Sequence, residues 1–146
     1  MIQLMKKHIK NEKGLTLIEL LAVIVILGII AAIAIPSIGS IIQKSKEDAT
    51  KADAITILNS AKNYVAANGI PSENITKTQL DTYVSGVDDS FGNYTVTVSS
   101  DGTTFGLNAT NVTAGKINIT FTNATIDNIN VATKGATQIP AAKTNP

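Results

Sequence analysis

The sequence predicts an α+β fold: one long N-terminal α-helix, about residues 15–68, with its C-terminal half packed on a small antiparallel β-sheet of three to four strands. Three observations carry this. An apolar run from Leu15 to Ile35 passes into a stretch whose apolar residues recur at spacings of three and four. Composition then shifts after Pro71 to Asn, Thr, Gly and Val, and Tyr94–Val98 alternates polar with apolar ahead of the turn signal Asp101-Gly102. At 146 residues there is room for one ordinary domain plus an extended segment.

The first element is the apolar run. Its 21 residues are apolar except for Thr16, Glu19 and Gly28, and a helix of that length at ~1.5 Å per residue spans the ~30 Å hydrocarbon core of a bilayer. Before it stand Lys6, Lys7, Lys10 and Lys13 against Glu12 alone, an asymmetry that predicts a cytoplasmic N-terminus with the remainder facing outward. Ala31-Ala32-Ile33-Ala34 imitates a secretory cleavage site, but the run is too long for an ordinary signal and its helical pattern continues past Pro36. Glu19 is the one charge inside the run. A carboxylate at mid-membrane costs about 2.5–3.5 kcal/mol and asks for a partner or a function; a place one turn into the run also fits the headgroup layer.

Beyond Pro36 the pattern turns amphipathic, with Ile38, Ile41, Ile42, Ala49, Ala52, Ile55, Leu58, Ala61 and Val65 on one predicted face. Lys44 with Asp48 and Glu47 with Lys51 stand four apart as helix-supporting pairs. Asn68-Gly69 followed by Ile70-Pro71 reads as the helix C-terminus. Gly28, Pro36 and Gly39 are the expected breaks: Pro36 removes an N–H and crowds the preceding turn, which predicts a kink or local melting nearby. The whole helix would measure roughly 80 Å.

The last element is the head. A short helix is expected around Thr78–Val84, strands at Tyr94–Val98, Thr103–Ala109, Lys116–Thr122 and Thr125–Ala132, and a loose final dozen residues. Together the expected organisation is 1–14 leader, 15–36 apolar helix, 37–69 amphipathic helix and 70–146 β-rich head.

Several chemistries lack their residues. Cysteine is absent and His8 is the only histidine, so neither a thiolate metal site nor a His-based catalytic constellation is expected, and no metal or cofactor is assigned. From Leu15 onward ten acids face eight lysines and no arginine occurs, which argues against a nucleic-acid surface. Asp88, Asp89 and Asp101 read as solvated turn acids in preference to calcium ligands. Six Asn-x-Thr sequons, at Asn74, Asn93, Asn108, Asn111, Asn118 and Asn123, fit a chain rich in both residues. The sparse tyrosines and phenylalanines read as core.

Lys13-Gly14-Leu15-Thr16-Leu17-Ile18-Glu19, followed by the apolar stretch and closed by Pro36, resembles the leader and processing site of a type IV pilin or a related pseudopilin. The resemblance covers about the first third of the chain. It implies that a prepilin peptidase cuts between Gly14 and Leu15, removing residues 1–14, and that the new terminal amine is methylated. Leu15 departs from the phenylalanine usual at that position. Glu19 can neutralise that amine within its own subunit or on a neighbour, and the resemblance favours the neighbour, which sets register. Thr16 can assist by bonding a backbone carbonyl, which a helical threonine also does with no further role.

The implied function is that of a structural subunit, not an enzyme: the major pilin of a type IV pilus, used for adhesion, twitching motility or aggregation. Its implied partners are copies of itself, the prepilin peptidase, a pilus assembly platform protein and a cytoplasmic assembly ATPase. Membrane lipid surrounds the helix before assembly, in the cytoplasmic membrane, and the extracellular pilus is its destination. Burying about 1,500–2,000 Å² of apolar surface is worth tens of kcal/mol relative to water at ~25 cal/mol/Å², but almost nothing relative to lipid, so extraction calls for a motor. Alternatives are a pseudopilin of type II secretion or DNA uptake, and a single-span membrane receptor or enzyme with an external domain. In the latter, only carboxylates and hydroxyls would be available for chemistry.

Overall fold

The computed structural model describes residues 2–140, with side chains described from Thr16 onward. Helix α1 runs from Ile2–Asn68, followed by β1 (Ile75–Thr76), α2 (Lys77–Leu80), a 3-10 turn (Asp89–Phe91), β2 (Tyr94–Val98), β3 (Phe105–Ala114), β4 (Ile117–Ala124), α3 (Ile126–Val131) and β5 (Gln138–Ile139). The arrangement is α+β, with a five-stranded, mostly antiparallel sheet in the order β1-β2-β3-β4-β5. Only β5 runs parallel to its neighbour, β4. The chain divides into two compact units, one ending at Ile41 and the other beginning at Ile42.

In the first unit none of the described residues covers the apolar surface of the helix. Every large apolar side chain from Leu17 to Ile38 is between 51% and 71% exposed, and an 18-residue stretch of the helix has a mean hydropathy of 3.0. α1 stays helical through Gly28, Pro36 and Gly39, and Pro36, lacking an N–H, deletes one ladder bond.

In the second unit the helix buries Glu47, Thr50, Ala54, Ile57, Leu58 and Ala61. The predicted face was rotated from this one: Leu58 and Ala61 are buried, Ile55 and Val65 are partly so, and Ala49 and Ala52 are exposed. Two alanines, Ala54 and Ala61, let the helix approach the inner face of the sheet, where Val96, Leu107, Val112, Ile119 and Phe121 are fully or almost fully buried. Phe91 stacks on Phe121 with centroids 5.8 Å apart, and meets Tyr94 edge-on at 6.3 Å.

The buried polar residues explain the rotation. Gln43 Nε2 donates to Glu47 Oε1 at 2.9 Å and to the Ala114 carbonyl at 2.9 Å, while its Oε1 accepts from Lys116 N at 2.8 Å. Glu47 Oε2 accepts from Gly135 N at 2.8 Å. One helical turn thus fastens both the β3–β4 turn and the loop after α3. The Gly135 N–H, followed by the Gln43 amide, holds the Glu47 carboxyl below its ordinary value of 4.5. The predicted pairing of Glu47 with Lys51 is replaced: Lys51 Nζ donates to the Ala132 carbonyl at 2.8 Å. Among the described residues the ion pair is Lys77 with Asp81, at 3.3 Å.

The helix ends as predicted. Gly69, at φ 83°, donates its N–H to Val65 O at 2.8 Å, a left-handed cap that glycine adopts without strain. The β2–β3 hairpin also forms where Asp101-Gly102 predicts. The Asp101 carboxylate accepts from the Ser99 hydroxyl, from Thr103 Oγ1 at 2.7 Å and from Thr103 N at 3.1 Å, which together hold its carboxyl down to about 2.

Three parts of the head differ from expectation. Thr125–Ala132 is a helix, α3, and not a strand, because Thr125 and Asn128 form a reciprocal capping box. Two-residue strands β1 and β5 bring the count to five. The final residues are not loose up to Pro140, since Ile139 is fully buried beside Phe121.

β3 and β4 pair through two register shifts. Asn111 (φ 53°) and Asn123 (φ 48°) adopt the left-handed conformation, which a short amide side chain tolerates. Asn108 Oδ1 accepts from Asn123 N at 2.8 Å, and a Cβ on Gly106 would collide with the Asn123 carboxamide. Gly106→Ala is therefore expected to lower head stability by about 1–3 kcal/mol, the usual cost of overpacking, in chemical denaturation of the detergent-solubilised chain. Because the folded-state value of Glu47 is depressed, its contribution is fully present above its ordinary value of 4.5 and is lost as pH falls from there through the lower folded-state value. Glu47→Gln is expected to flatten the acid limb of a pH–stability curve relative to the parent chain.

Candidate assembly segment

The segment with the clearest functional chemistry is α1 from its start to Ile41. Leu15 and Glu19 are four residues apart on a continuous helix, hence on one face and about 6 Å apart along the axis. Thr16 and Glu19 are both exposed. No ion pair reaches Glu19 among the described residues. The carboxylate is thus presented outward amid Leu17, Ile18, Leu20 and Leu21, each more than half exposed. The surroundings of Gly14 and the side chain of Leu15, the predicted cleavage pair, lie outside what is described, as do the side chains of the leader lysines and His8.

Gly28 and Gly39 gain no explanation from the chain itself, since a Cβ at either would meet nothing within 4 Å. Their φ values are not in the left-handed region. Helix propensity alone disfavours glycine there by about 1 kcal/mol relative to alanine. Gly28 and Ala32, four apart, leave a narrow strip on an otherwise bulky helix surface, which permits close approach of a second helix. From the sequence Ala32 reads only as part of the Ala31–Ala34 imitation of a cleavage site; its small-xxx-small spacing from Gly28 is the signal for a packing role.

The head offers shallow depressions and little chemistry. One of about 200 Å³ is lined by Lys77, Asp81, Asp88 and Asp89 with Phe91 and Tyr94 at its wall. Asp88 is occupied in capping the 3-10 turn, its Oδ1 accepting from Ser90 N at 2.8 Å, and Asp53 Oδ2 accepts from Asp88 N at 3.1 Å. Asp101 serves its own turn. Among the described residues no group of three or more His, Cys, Asp or Glu side chains is placed to hold a metal ion.

The family model described as the prokaryotic N-terminal methylation motif matches residues 9–35. No curated protein and no solved structure matches the chain. The matched motif implies processing by a prepilin peptidase and fits a membrane-anchored precursor. The apolar helix surface described above is long enough to cross a bilayer. The chain carries at residues 9–35 the class III signal peptide of type IV pilins, and that motif supports a precursor of the pilin or pseudopilin kind.

Proposed function

We propose that the chain is a structural subunit, the major pilin of a type IV pilus, that polymerises through α1 into an extracellular filament. The observation that carries this reading is the helix surface from Leu17 to Ile38, apolar around its circumference but for Glu19 and Ser37 and covered by none of the described residues. Such a surface is compatible with lipid or with a layer of like helices, and with little else. Residues 1–14 are the leader, and cutting between Gly14 and Leu15 leaves the apolar segment as the mature N-terminus.

The positive amine on Leu15 then lies in a medium of low dielectric, where an unpaired charge is costly. Glu19 of a subunit already in the filament supplies the opposite charge, and the incoming subunit docks where that contact is made. Desolvation offsets much of the attraction, so the pair contributes register more than net stability. Thr16 supports the helix terminus beside it. Gly28, Pro36 and Gly39 give the helix a stretch with weakened local preference, which extends on assembly or under load. Because transfer from lipid to a helix bundle gains little apolar free energy, a platform protein and a cytoplasmic ATPase drive extraction. The Asn- and Thr-rich head suits a surface filament serving adhesion, motility or aggregation.

N-terminal sequencing of the mature protein is expected to begin at Leu15, and electron microscopy of sheared surface material to find long filaments containing it. Short filaments confined to the cell envelope would favour a pseudopilin instead. Glu19→Ala is expected to leave cleavage intact while lowering filament yield well over tenfold, since removing one partner of a buried pair costs about 3–5 kcal/mol. Immunoblots of cell and sheared fractions separate the two effects, and a normal filament yield would remove the register role.

A further inference from the structure

We propose that Asn93, Asn111 and Asn118 are acceptors for asparagine-linked glycans, clustered on the outward face of the sheet. Nine asparagines follow Pro71, and six of them carry Thr two residues on; Asn128, Asn130 and Asn145 do not. The structure divides the six.

Asn108 is engaged on both atoms, with Nδ2 donating to Thr97 Oγ1 at 3.0 Å and Oδ1 accepting from Asn123 N at 2.8 Å. The Asn123 carboxamide lies against Gly106, and its Thr125 is committed to capping α3. Thr76, the partner of Asn74, donates to Gln79 Oε1 at 2.9 Å. These three sequons have structural employment.

Asn93, Asn111 and Asn118 are exposed, and no hydrogen bond engages their side chains among the described residues. Their partners keep a free hydroxyl proton: Thr95 and Thr113 make no side-chain hydrogen bond among the described residues, and Thr120 Oγ1 accepts only, from Asn111 N at 3.4 Å. Strand alternation presents Asn118 and Thr120 on one face, and the left-handed Asn111 turns its backbone out of the ladder at a bulge. Register brings the three sites together. Asn93 adjoins Tyr94, which pairs with Ala109 two residues before Asn111, and Asn118 pairs with Thr113. An open depression of about 380 Å³, lined by Asn93 and Thr95 with Asn108, Thr110 and Thr122, adjoins the first of these sites and has room for its first sugar.

The donor is a lipid-linked glycosyl diphosphate, and the catalyst a membrane transferase facing outward. Nδ2 forms a bond to the sugar C1, the C1–O bond breaks, the lipid diphosphate leaves, and the amide proton passes to a base of the transferase. The inference rests on the reading that the head is translocated.

The test is intact-mass and peptide-mapping mass spectrometry of the protein purified from its own cells, with Asn93→Gln, Asn111→Gln, Asn118→Gln, Thr113→Ala and Thr113→Ser variants. The expected result is a mass above that of the trimmed polypeptide, with one glycan lost for each Asn→Gln change. The Asn111 glycan is lost in Thr113→Ala and kept in Thr113→Ser. Polypeptide mass alone in protein recovered from sheared filaments would overturn the inference while leaving the filament reading intact. An added mass that persists when all three asparagines are replaced would overturn the assignment to these residues. A head protected from external protease in intact cells would overturn the translocation reading and this inference with it.

Discussion

A helix that is apolar around its whole circumference needs neighbours, and the first unit of this chain supplies none. From Leu17 to Ile38 more than half of each large apolar side chain faces outward. A globular domain with such a surface would aggregate, whereas a membrane helix or the centre of a helical filament would not. The remaining features follow from that requirement. Lysines gather before the segment and are absent within it, and the acid inside it sits close to its start. Glycine occupies places where the chain alone would tolerate alanine.

The second unit solves an ordinary folding problem around the same helix. Small residues at Ala54 and Ala61 set the distance to the sheet, and aromatic packing around Phe91 and Phe121 fills the space beneath it. Polar side chains then fix which way the helix faces. Ser60 Oγ donates to the Tyr83 carbonyl at 2.9 Å, toward one end, while Gln43 and Glu47 act at the other. Burial of Glu47 is tolerable because both its oxygens are occupied and Gly135 supplies a backbone N–H.

What was legible in the sequence was local. The long helix, its Gly69 cap and the Asp101-Gly102 hairpin are specified by residues within a few positions of one another, and each formed as read. What was missed depended on distant partners. Glu47 looked like a surface charge because the group that buries it lies 88 residues away. β1 and β5 are two residues each and exist only through pairing with β2 and β4. Thr125–Ala132 is the exception: its β-branched Ile126, Ile129 and Val131 suit a strand, and the local Thr125–Asn128 cap decided for a helix. Within the apolar segment, Glu19 and Gly28 were identifiable because they violate the pattern around them, while Ala32 was hidden by conforming to it.

The fastening made by Gln43 and Glu47 has a mechanical corollary. In a chain pulled by its N-terminal helix, tension enters the head at the turn where these two side chains grip the Ala114–Lys116 bend and Gly135. Four hydrogen bonds meet there, counting the one between the two side chains. Three of them, leaving aside the one within the helix, tie the stem to the head and have to break before the β3–β4 turn and the loop after α3 can part from it.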